Sequence, residues 1–207
     1  MGGKSLKRKV AIREPKRTIL VFTEGTVTEP AYVKELKRLD HVRRSTSIRV
    51  EIAAAHTVPY PLVERALDHA ADSEIDDIWC LFDVESPQPH PRLKEAAALA
   101  AKNDKVRLAI SNPCFELWLL LHHQDVTRHL STADACKLAN SLDGLSDKQL
   151  KASEYVPLRH EAARRARALV QQHERAGRSF PDDNPTTDIH LFVEAVEAAA
   201  RKPSSQS

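Results

Sequence analysis

The sequence predicts an α/β protein with a mostly parallel, four-stranded sheet flanked by helices, plus a helical C-terminal region. Up to about residue 125, apolar runs of strand length alternate with amphipathic segments of helix length, and beyond that point every periodic segment is helical. Repeated strand–helix–strand units place their strands in parallel, joined by right-handed crossovers. The hydrophobic content of 42% and the charged content of 29% are typical of globular domains.

Four segments have the pattern of strands. The first and the third are continuous apolar runs, which indicate strands buried on both faces of a sheet. The second alternates between apolar and polar residues, as a strand with one exposed face does. The predicted strands cover residues 18–22, 48–52, 78–82 and 106–110.

Apolar residues at helical spacing follow each of these strands. In the first helix, Thr28 is the candidate N-cap and Pro30 lies in the first turn, where proline is tolerated. Pro59 and Pro61 mark the start of the second helix, and the third covers residues 93–100. The remaining predicted helices cover residues 115–121, 131–143, 158–175 and 186–201.

These elements divide the chain into four predicted parts. A basic, flexible arm over residues 1–16 precedes the α/β core, which is expected over residues 17–125. A helical extension over residues 126–201 is expected to pack on the core. The last residues, 202–207, are expected to form a disordered tail.

Basic side chains suited to nucleic-acid contact occur in two places. Because the net charge is only +2, such contact depends on local patches rather than on the charge of the whole chain. Lys7, Arg8 and Lys9 in the N-terminal arm are the stronger candidates. Arg164 and Arg165 lie on a predicted helix, where a solvated helix face accounts for them equally well.

The sequence has the features of a cytoplasmic protein. It has no apolar segment long enough to span a bilayer and no signal peptide, so no membrane contact is expected. The three cysteines, Cys80, Cys114 and Cys136, form no CxxC pair. This spacing favours buried thiols in a reducing compartment over catalytic or zinc-binding cysteines.

Acidic residues follow two of the predicted strands. Glu24 comes after the first strand, and Asp83 and Glu85 come after the third. In an open α/β sheet, ligands bind beyond the carboxyl ends of the strands, so the three carboxylates are expected to converge at one edge. Clustered carboxylates repel one another unless a cation neutralises them, and their hard oxygen atoms suit Mg²⁺ or Mn²⁺. Helix capping or a solvated turn is the alternative explanation for such residues.

A fourth acidic residue, Glu116, follows the last predicted strand. It is surrounded in the sequence by Phe115, Leu117 and Trp118, and a carboxylate in such a setting is either at the exposed edge of a helix or buried and paired. Glu116 lies on the same side of the sheet as the other three carboxylates. Both a role in the site and a structural hydrogen-bonding role remain open.

Four segments of the chain resemble the RloB family. They cover residues 19–25 together with 28–32, then 79–83, 111–120 and 184–188, and the whole resemblance runs from about residue 17 to residue 197. The most specific of them is the Asn-Pro-Cys-Phe-Glu-Leu-Trp block at residues 112–118. Proteins of this family resemble the Toprim fold of topoisomerases, primases and OLD-type nucleases. They are encoded near restriction and other phage-defence genes, often beside an ATPase.

The resemblance implies a site and an activity. In the Toprim fold, a glutamate after the first strand and an Asp-x-Asp pair after a later strand bind Mg²⁺ and drive phosphoryl chemistry. The matching residues are Glu24, Asp83 and Glu85, so that the pair here is Asp-x-Glu. The resemblance therefore implies a Mg²⁺- or Mn²⁺-dependent nuclease that hydrolyses DNA or RNA in anti-phage defence or abortive infection. Glu116 is the fourth candidate catalytic residue.

Two other functions stay open at this point. The first is a non-catalytic Toprim-like module that binds nucleic acid or a partner ATPase. The second is a nucleotide-metabolising phosphotransferase, and the lack of a glycine-rich phosphate cradle argues against it. The first alternative differs from the nuclease in a testable way, because a binding module does not need all three carboxylates.

Overall fold

The strands of the protein lie side by side in one mixed sheet. The computed structural model describes residues 16–53, 57–143 and 150–201, and these residues contain five strands. The strands are β1 (Arg17–Thr23), β2 (Thr46–Ile52), β3 (Asp77–Asp83), β4 (Val106–Asn112) and β5 (Thr186–Thr187). Their order in the sheet is β2-β1-β3-β4-β5. The first four are parallel, and β5 pairs in the antiparallel direction with the end of β4.

Helices connect the strands and form the C-terminal part. They are α1 (Thr28–Leu36), α2 (Asp40–Ser45), α3 (Pro59–Asp68), α4 (Leu93–Ala100), α5 (Glu116–His123), α6 (Thr132–Asp143), α7 (Ala152–Tyr155), α8 (Arg159–Arg175) and α9 (Ile189–Arg201). A short 3₁₀ turn joins α7 to α8. None of the helices in the described ranges combines the length and the apolar character needed to cross a bilayer.

The predicted fold class and the four predicted strands are confirmed, and the differences concern short elements. Helix α2 and strand β5 are too short for the residue pattern to reveal a period. The prediction that the last helix begins at residue 186 was wrong, because α9 begins at Ile189 after β5. Thr28 is the first helical residue rather than the N-cap, and no side chain caps this helix at Val27.

Both faces of the sheet are covered, as the apolar runs predict. Alternate residues of a strand point to opposite faces. In β1, Ile19 and Val21 pack against the side with α1, α2 and α5–α9, while Leu20 and Phe22 pack against α3 and α4. Trp118 on α5 is the largest of the fully buried side chains. The strands therefore form the middle layer, with their ends free to position other groups.

The connections reverse direction between β1 and β3. The connection from β1 to β2 runs through α1 and α2 on one face, while α3 and α4 connect the next strands on the other face. Such a reversal opens a crevice beyond the carboxyl ends of the two strands, where α/β proteins bind ligands. Glu24 and Asp83 lie at the ends of these two strands.

The segment before α9 ties the C-terminal helices to the sheet. The Oδ1 and Nδ2 atoms of buried Asn184 bind the backbone N–H and C=O of Leu130, at 3.0 and 2.9 Å. The hydroxyl groups of Ser111 on β4 and Thr187 on β5 are 3.0 Å apart. These contacts fix the Asn-Pro-Thr-Thr-Asp segment, residues 184–188, to strand β4 and to the loop before α6.

We expect Asn184→Ala to lower the free energy of unfolding by about 2–4 kcal/mol, because it leaves two buried backbone groups of Leu130 unpaired. Urea denaturation followed by circular dichroism measures this change. Asn140→Ala, at an exposed position of α6, is the matched control and should stay within about 0.5 kcal/mol of the wild type. Equal effects of the two substitutions on the free energy of unfolding would contradict the structural role given to the hydrogen bonds between Asn184 and Leu130.

Candidate metal centre

Four carboxylates lie within electrostatic reach of a fifth, Asp83, at the carboxyl edge of the sheet. Glu24 follows β1, Glu29 is in the first turn of α1, Asp83 ends β3, Glu85 follows β3 and Glu116 begins α5. Asp83 is at the centre, because all four other carboxylates act on it. We call these five residues the carboxylate cluster.

Asp83 has the most strongly perturbed carboxyl group of the cluster. Burial, followed by repulsion from its four neighbours, raises the pKa of Asp83 well above its ordinary value. Its backbone N–H donates a hydrogen bond to Glu24 Oε2 at 3.2 Å. Residues whose pKa is shifted by burial together with specific charges, next to a crevice, are typical of functional sites.

Glu29 is almost completely buried against the loop after β1. Only 6% of it is exposed, and a β-carbon added at Gly25 would lie 2.0 Å from Glu29 Oε2. Glycine at this position therefore allows the carboxylate to reach the backbone amides of Gly25 and Glu29, which lower its pKa. Burial outweighs them and, together with repulsion from Glu116 and Glu24, raises the pKa of Glu29 to about 7.

Both carboxylate oxygens of Glu24 have partners. Oε2 accepts the hydrogen bond from Asp83, and Oε1 forms an ion pair with His90 Nε2 at 2.7 Å. Contact with Glu24 raises the pKa of the half-buried His90 against the effect of burial, and the charge of Glu85 adds to this. When its ring is protonated, His90 thus supplies positive charge to an otherwise acidic edge.

The chain bends sharply where it leaves β3. Glu85 has a φ of 72°, a left-handed conformation that costs about 1–3 kcal/mol in a residue other than glycine. Two backbone hydrogen bonds hold the bend: Val84 N–H donates to Ser111 O at 2.8 Å, and Glu85 N–H to Pro113 O at 2.9 Å. The bend brings Glu85 into the wall of a cleft.

This cleft opens beside the carboxylate cluster. Its volume is about 520 Å³, and it is lined by residues 24–26, residues 57–58, Glu85 and His90. The walls come from the loops that follow β1, β2 and β3, as expected at a switch point in strand order. The cleft is large enough for a small ligand or for a section of a polymer chain.

Comparison with known proteins gives the family of the chain. A family model described as RloB-like protein matches residues 19–196. The chain belongs to the RloB-like family. Comparisons with curated proteins and with solved structures returned no match. The Toprim likeness and the link to phage defence therefore stay predictions.

In this RloB-like protein, the four predicted catalytic residues do lie at one edge of the sheet, together with Glu29. Their carboxylate oxygens are not gathered closely, however. Within the described ranges, the ligand atoms of Glu24, Asp83 and Glu85 do not all lie within 4.8 Å of one another. The ion pair with His90 holds Glu24 in its present position.

The donor set nevertheless suits a hard divalent cation. All members of the carboxylate cluster offer oxygen atoms, which Mg²⁺ and Mn²⁺ prefer. Burial, followed by repulsion from neighbouring carboxylates, raises the pKa values of Asp83 and Glu29, so negative charge at this edge is costly unless a cation balances it. Glu24, Asp83 and Glu85 therefore fit the ion that the sequence predicts.

The basic residues predicted to contact nucleic acid have different settings. Lys7, Arg8 and Lys9 lie outside the described residues. Arg164 is exposed and pairs with Glu161 on the same helix at 3.1 Å. Arg165 is half-buried and donates hydrogen bonds to the carbonyl oxygens of residues 121 and 122, at 2.7 and 3.1 Å. Its guanidinium group thus binds the C-terminal end of α5, where cations are favourable.

Sequence reasoning missed three residues near the site. In the sequence, Glu29 looks like an ordinary acidic residue in the first turn of a helix. The one sequence feature that indicates its burial is Gly25, four residues earlier. His90 lies in a proline-rich loop with no motif around it. Cys136 is brought beside Cys114 by tertiary packing, which no local spacing reveals. Cys80 and Cys114 are buried thiols, as predicted.

The raised pKa of Glu29 predicts a pH-dependent loss of stability. Between about pH 4.5 and about pH 7, the folded protein keeps a proton on Glu29 that the unfolded chain releases, so stability falls as the pH rises. Glu29→Gln removes this penalty. We expect the variant to be about 1–3 kcal/mol more stable than the wild type above about pH 7, and to show no such gain below about pH 4.5.

Urea unfolding at the two ends of this pH range measures the difference. Glu64→Gln, on the exposed side of α3, is the matched control and should show no pH-dependent gain. An equal stabilisation by Glu29→Gln at both ends would point to packing instead of ionisation.

Proposed function

We propose that this RloB-like protein is a Mg²⁺- or Mn²⁺-dependent nuclease, or a nuclease-like effector, that hydrolyses phosphodiester bonds of DNA or RNA in anti-phage defence. The observation that supports this most directly is the carboxylate cluster at the crevice between β1 and β3. Burial, followed by repulsion from neighbouring carboxylates, raises the pKa values of two of its members, Asp83 and Glu29. A divalent cation relieves this repulsion.

Glu24, Asp83 and Glu85 are the residues that would hold the ion. When bound, such a cation polarises a phosphoryl group and lowers the pKa of an attacking water molecule. The adjacent cleft, with Glu24, Glu85 and His90 in its walls, offers a place for the phosphodiester. His90 brings positive charge to this wall, which favours an anionic substrate.

Glu29 is suited to proton transfer in the same reaction. Its pKa of about 7 is close to neutral pH, where a general acid or base is most effective. Close packing against Gly25 and near-complete burial keep its carboxylate in one place. In this proposal Glu29 takes or gives the proton, and Glu24 is left to bind the ion.

A second function is favoured by one observation. Both oxygens of Glu24 have partners, from Asp83 and His90, and the predicted metal ligands are not gathered. This arrangement suits a non-catalytic module that binds nucleic acid or a partner ATPase. The two proposals differ in whether the carboxylates are needed for a divalent cation to bind.

Calorimetric titration with Mn²⁺ separates them. We expect saturable binding by the wild type, and a loss of more than about 100-fold in affinity for both Glu24→Gln and Asp83→Asn, because removal of a ligand costs more than the 10–100-fold typical of an outer-shell partner. Glu64→Gln is the control and should bind as the wild type does. Circular dichroism checks that every variant is folded.

Cleavage of labelled single- and double-stranded DNA and RNA in Mn²⁺ then tests the reaction. Asp83→Asn should lower the rate by at least about 100-fold, while Glu64→Gln leaves it unchanged. Wild-type Mn²⁺ binding that both carboxylate substitutions leave intact would favour the binding module.

His90→Gln should raise the affinity for Mn²⁺ several-fold at about pH 6.5, because the charged imidazole competes with the cation for Glu24. The gain should shrink as the pH rises through the raised pKa of His90, where the ring loses its charge. The same titration measures both effects. His160→Gln, at an exposed position of α8, is the control, and a weaker affinity in His90→Gln would instead make His90 a supporting group for the ion.

A further inference from the structure

Two cysteines meet Glu116, one member of the carboxylate cluster, where the turn after β4 and the start of α5 pack against α6. Cys114 lies in the turn after β4, Glu116 begins α5, and Cys136 lies on α6. Their two sulfur atoms and a carboxylate oxygen all lie within 4.8 Å of one another. In the described part of the chain, these are the three potential ligands that meet this distance criterion.

The three groups are neighbours because the start of α5 packs against α6. The atoms that a cation would join are therefore already close to one another. Thiols release their protons when they bind a metal ion, so an ion that binds thiolates replaces those protons.

The distances suit a tetrahedral ion after a small movement. Sulfur and oxygen ligands at the usual 2.0–2.3 Å from zinc are separated from each other by about 3.3–3.8 Å. Because the three atoms lie within 4.8 Å of one another, each pair needs to approach by at most about 1.5 Å to reach this geometry. Cys114 is 1% exposed and forms the inner ligand, while the half-buried Glu116 and Cys136 leave a route from solvent.

The surrounding charge also favours a cation. Among the described residues, the charged groups that act on the two thiols are the carboxylates of Asp83, Glu85 and Glu116. A divalent ion reduces the repulsion among them. Thiolate sulfur selects ions of the zinc class over Mg²⁺, so the site differs in chemistry from the all-oxygen set of Glu24, Asp83 and Glu85.

We propose that Cys114, Glu116 and Cys136 form a binding site for a thiophilic divalent cation of the zinc class. Binding releases the two thiol protons to solvent. Three protein ligands leave one tetrahedral position for water, a substrate atom or the nearby Glu85, which is the pattern of open zinc sites. The site lies next to the proposed nuclease ion and has acidic neighbours in common with it, but its two thiol ligands are its own, so this proposal holds whether or not the nuclease proposal does.

Titration of the reduced full-length protein with Co²⁺ tests the site. We expect a thiolate-to-cobalt charge-transfer band that saturates at one ion per chain and disappears when Zn²⁺ is added. Cys136→Ser, which changes a half-buried helix position, should weaken binding by more than about 100-fold, and Cys114→Ser should do the same. Glu116→Gln should keep the band with a lower affinity.

The third cysteine provides the matched control. Cys80 is buried between the sheet and α3 and α4, so Cys80→Ala should keep the band at full strength. Glu24→Gln and Asp83→Asn should also keep it, which separates this site from the proposed nuclease ion. No band in the reduced wild type, or a band that survives in Cys136→Ser, overturns the proposal. A reduced wild type that gives no band but forms a Cys114–Cys136 disulfide on oxidation overturns it as well.

Discussion

Repulsion among carboxylates at the ends of β1, β3 and β4 explains the loops around them. Charge that is removed from water has to be balanced by hydrogen bonds or by opposite charge. The loops around these carboxylates supply both. The lack of a side chain at Gly25 leaves room for the carboxylate of Glu29. The backbone N–H of Asp83 donates a hydrogen bond to Glu24, and His90 forms an ion pair with Glu24. The left-handed bend at Glu85 belongs to the same arrangement, because it carries an acidic residue into the cleft at a cost in backbone strain.

The sequence predicts the parts of the fold that depend on local pattern. Buried parallel strands have continuous apolar runs, so the sequence pattern identifies β1 and β3. Glu24 and Asp83 lie at the carboxyl ends of these two parallel strands, which places both residues at one edge of the sheet. Elements of two to six residues, such as β5 and α2, leave no period to detect. The contacts of Glu29, His90 and Cys136 depend on how separate segments approach one another, and a single sequence carries little information on such tertiary contacts.

Two kinds of ligand lie next to each other at this edge of the RloB-like fold. The carboxylates of β1 and β3 offer hard oxygen atoms, while the turn after β4 and helix α6 offer sulfur, and Glu116 lies between them. Protein sites separate metals by ligand softness and geometry more than by affinity alone. Neighbouring sites of unlike softness can therefore select different ions from the same solution.

During synthesis, the sheet and its covering layer form completely only after β5 and α9 have been made, because these two elements follow all the others in the described chain. Helix α9, which follows β5 directly, packs against α2, and its buried Glu197 is 2.6 Å from Arg159 and 2.9 Å from His41. A nascent chain that ends near residue 125 lacks α9 and therefore exposes the apolar surface of the sheet that α9 covers, such as Trp79 on β3, whose ring lies 5.5 Å from that of Phe192. Folding has to wait for contacts between segments far apart in the sequence, which slows it and lengthens the period in which the uncovered sheet can associate with other chains.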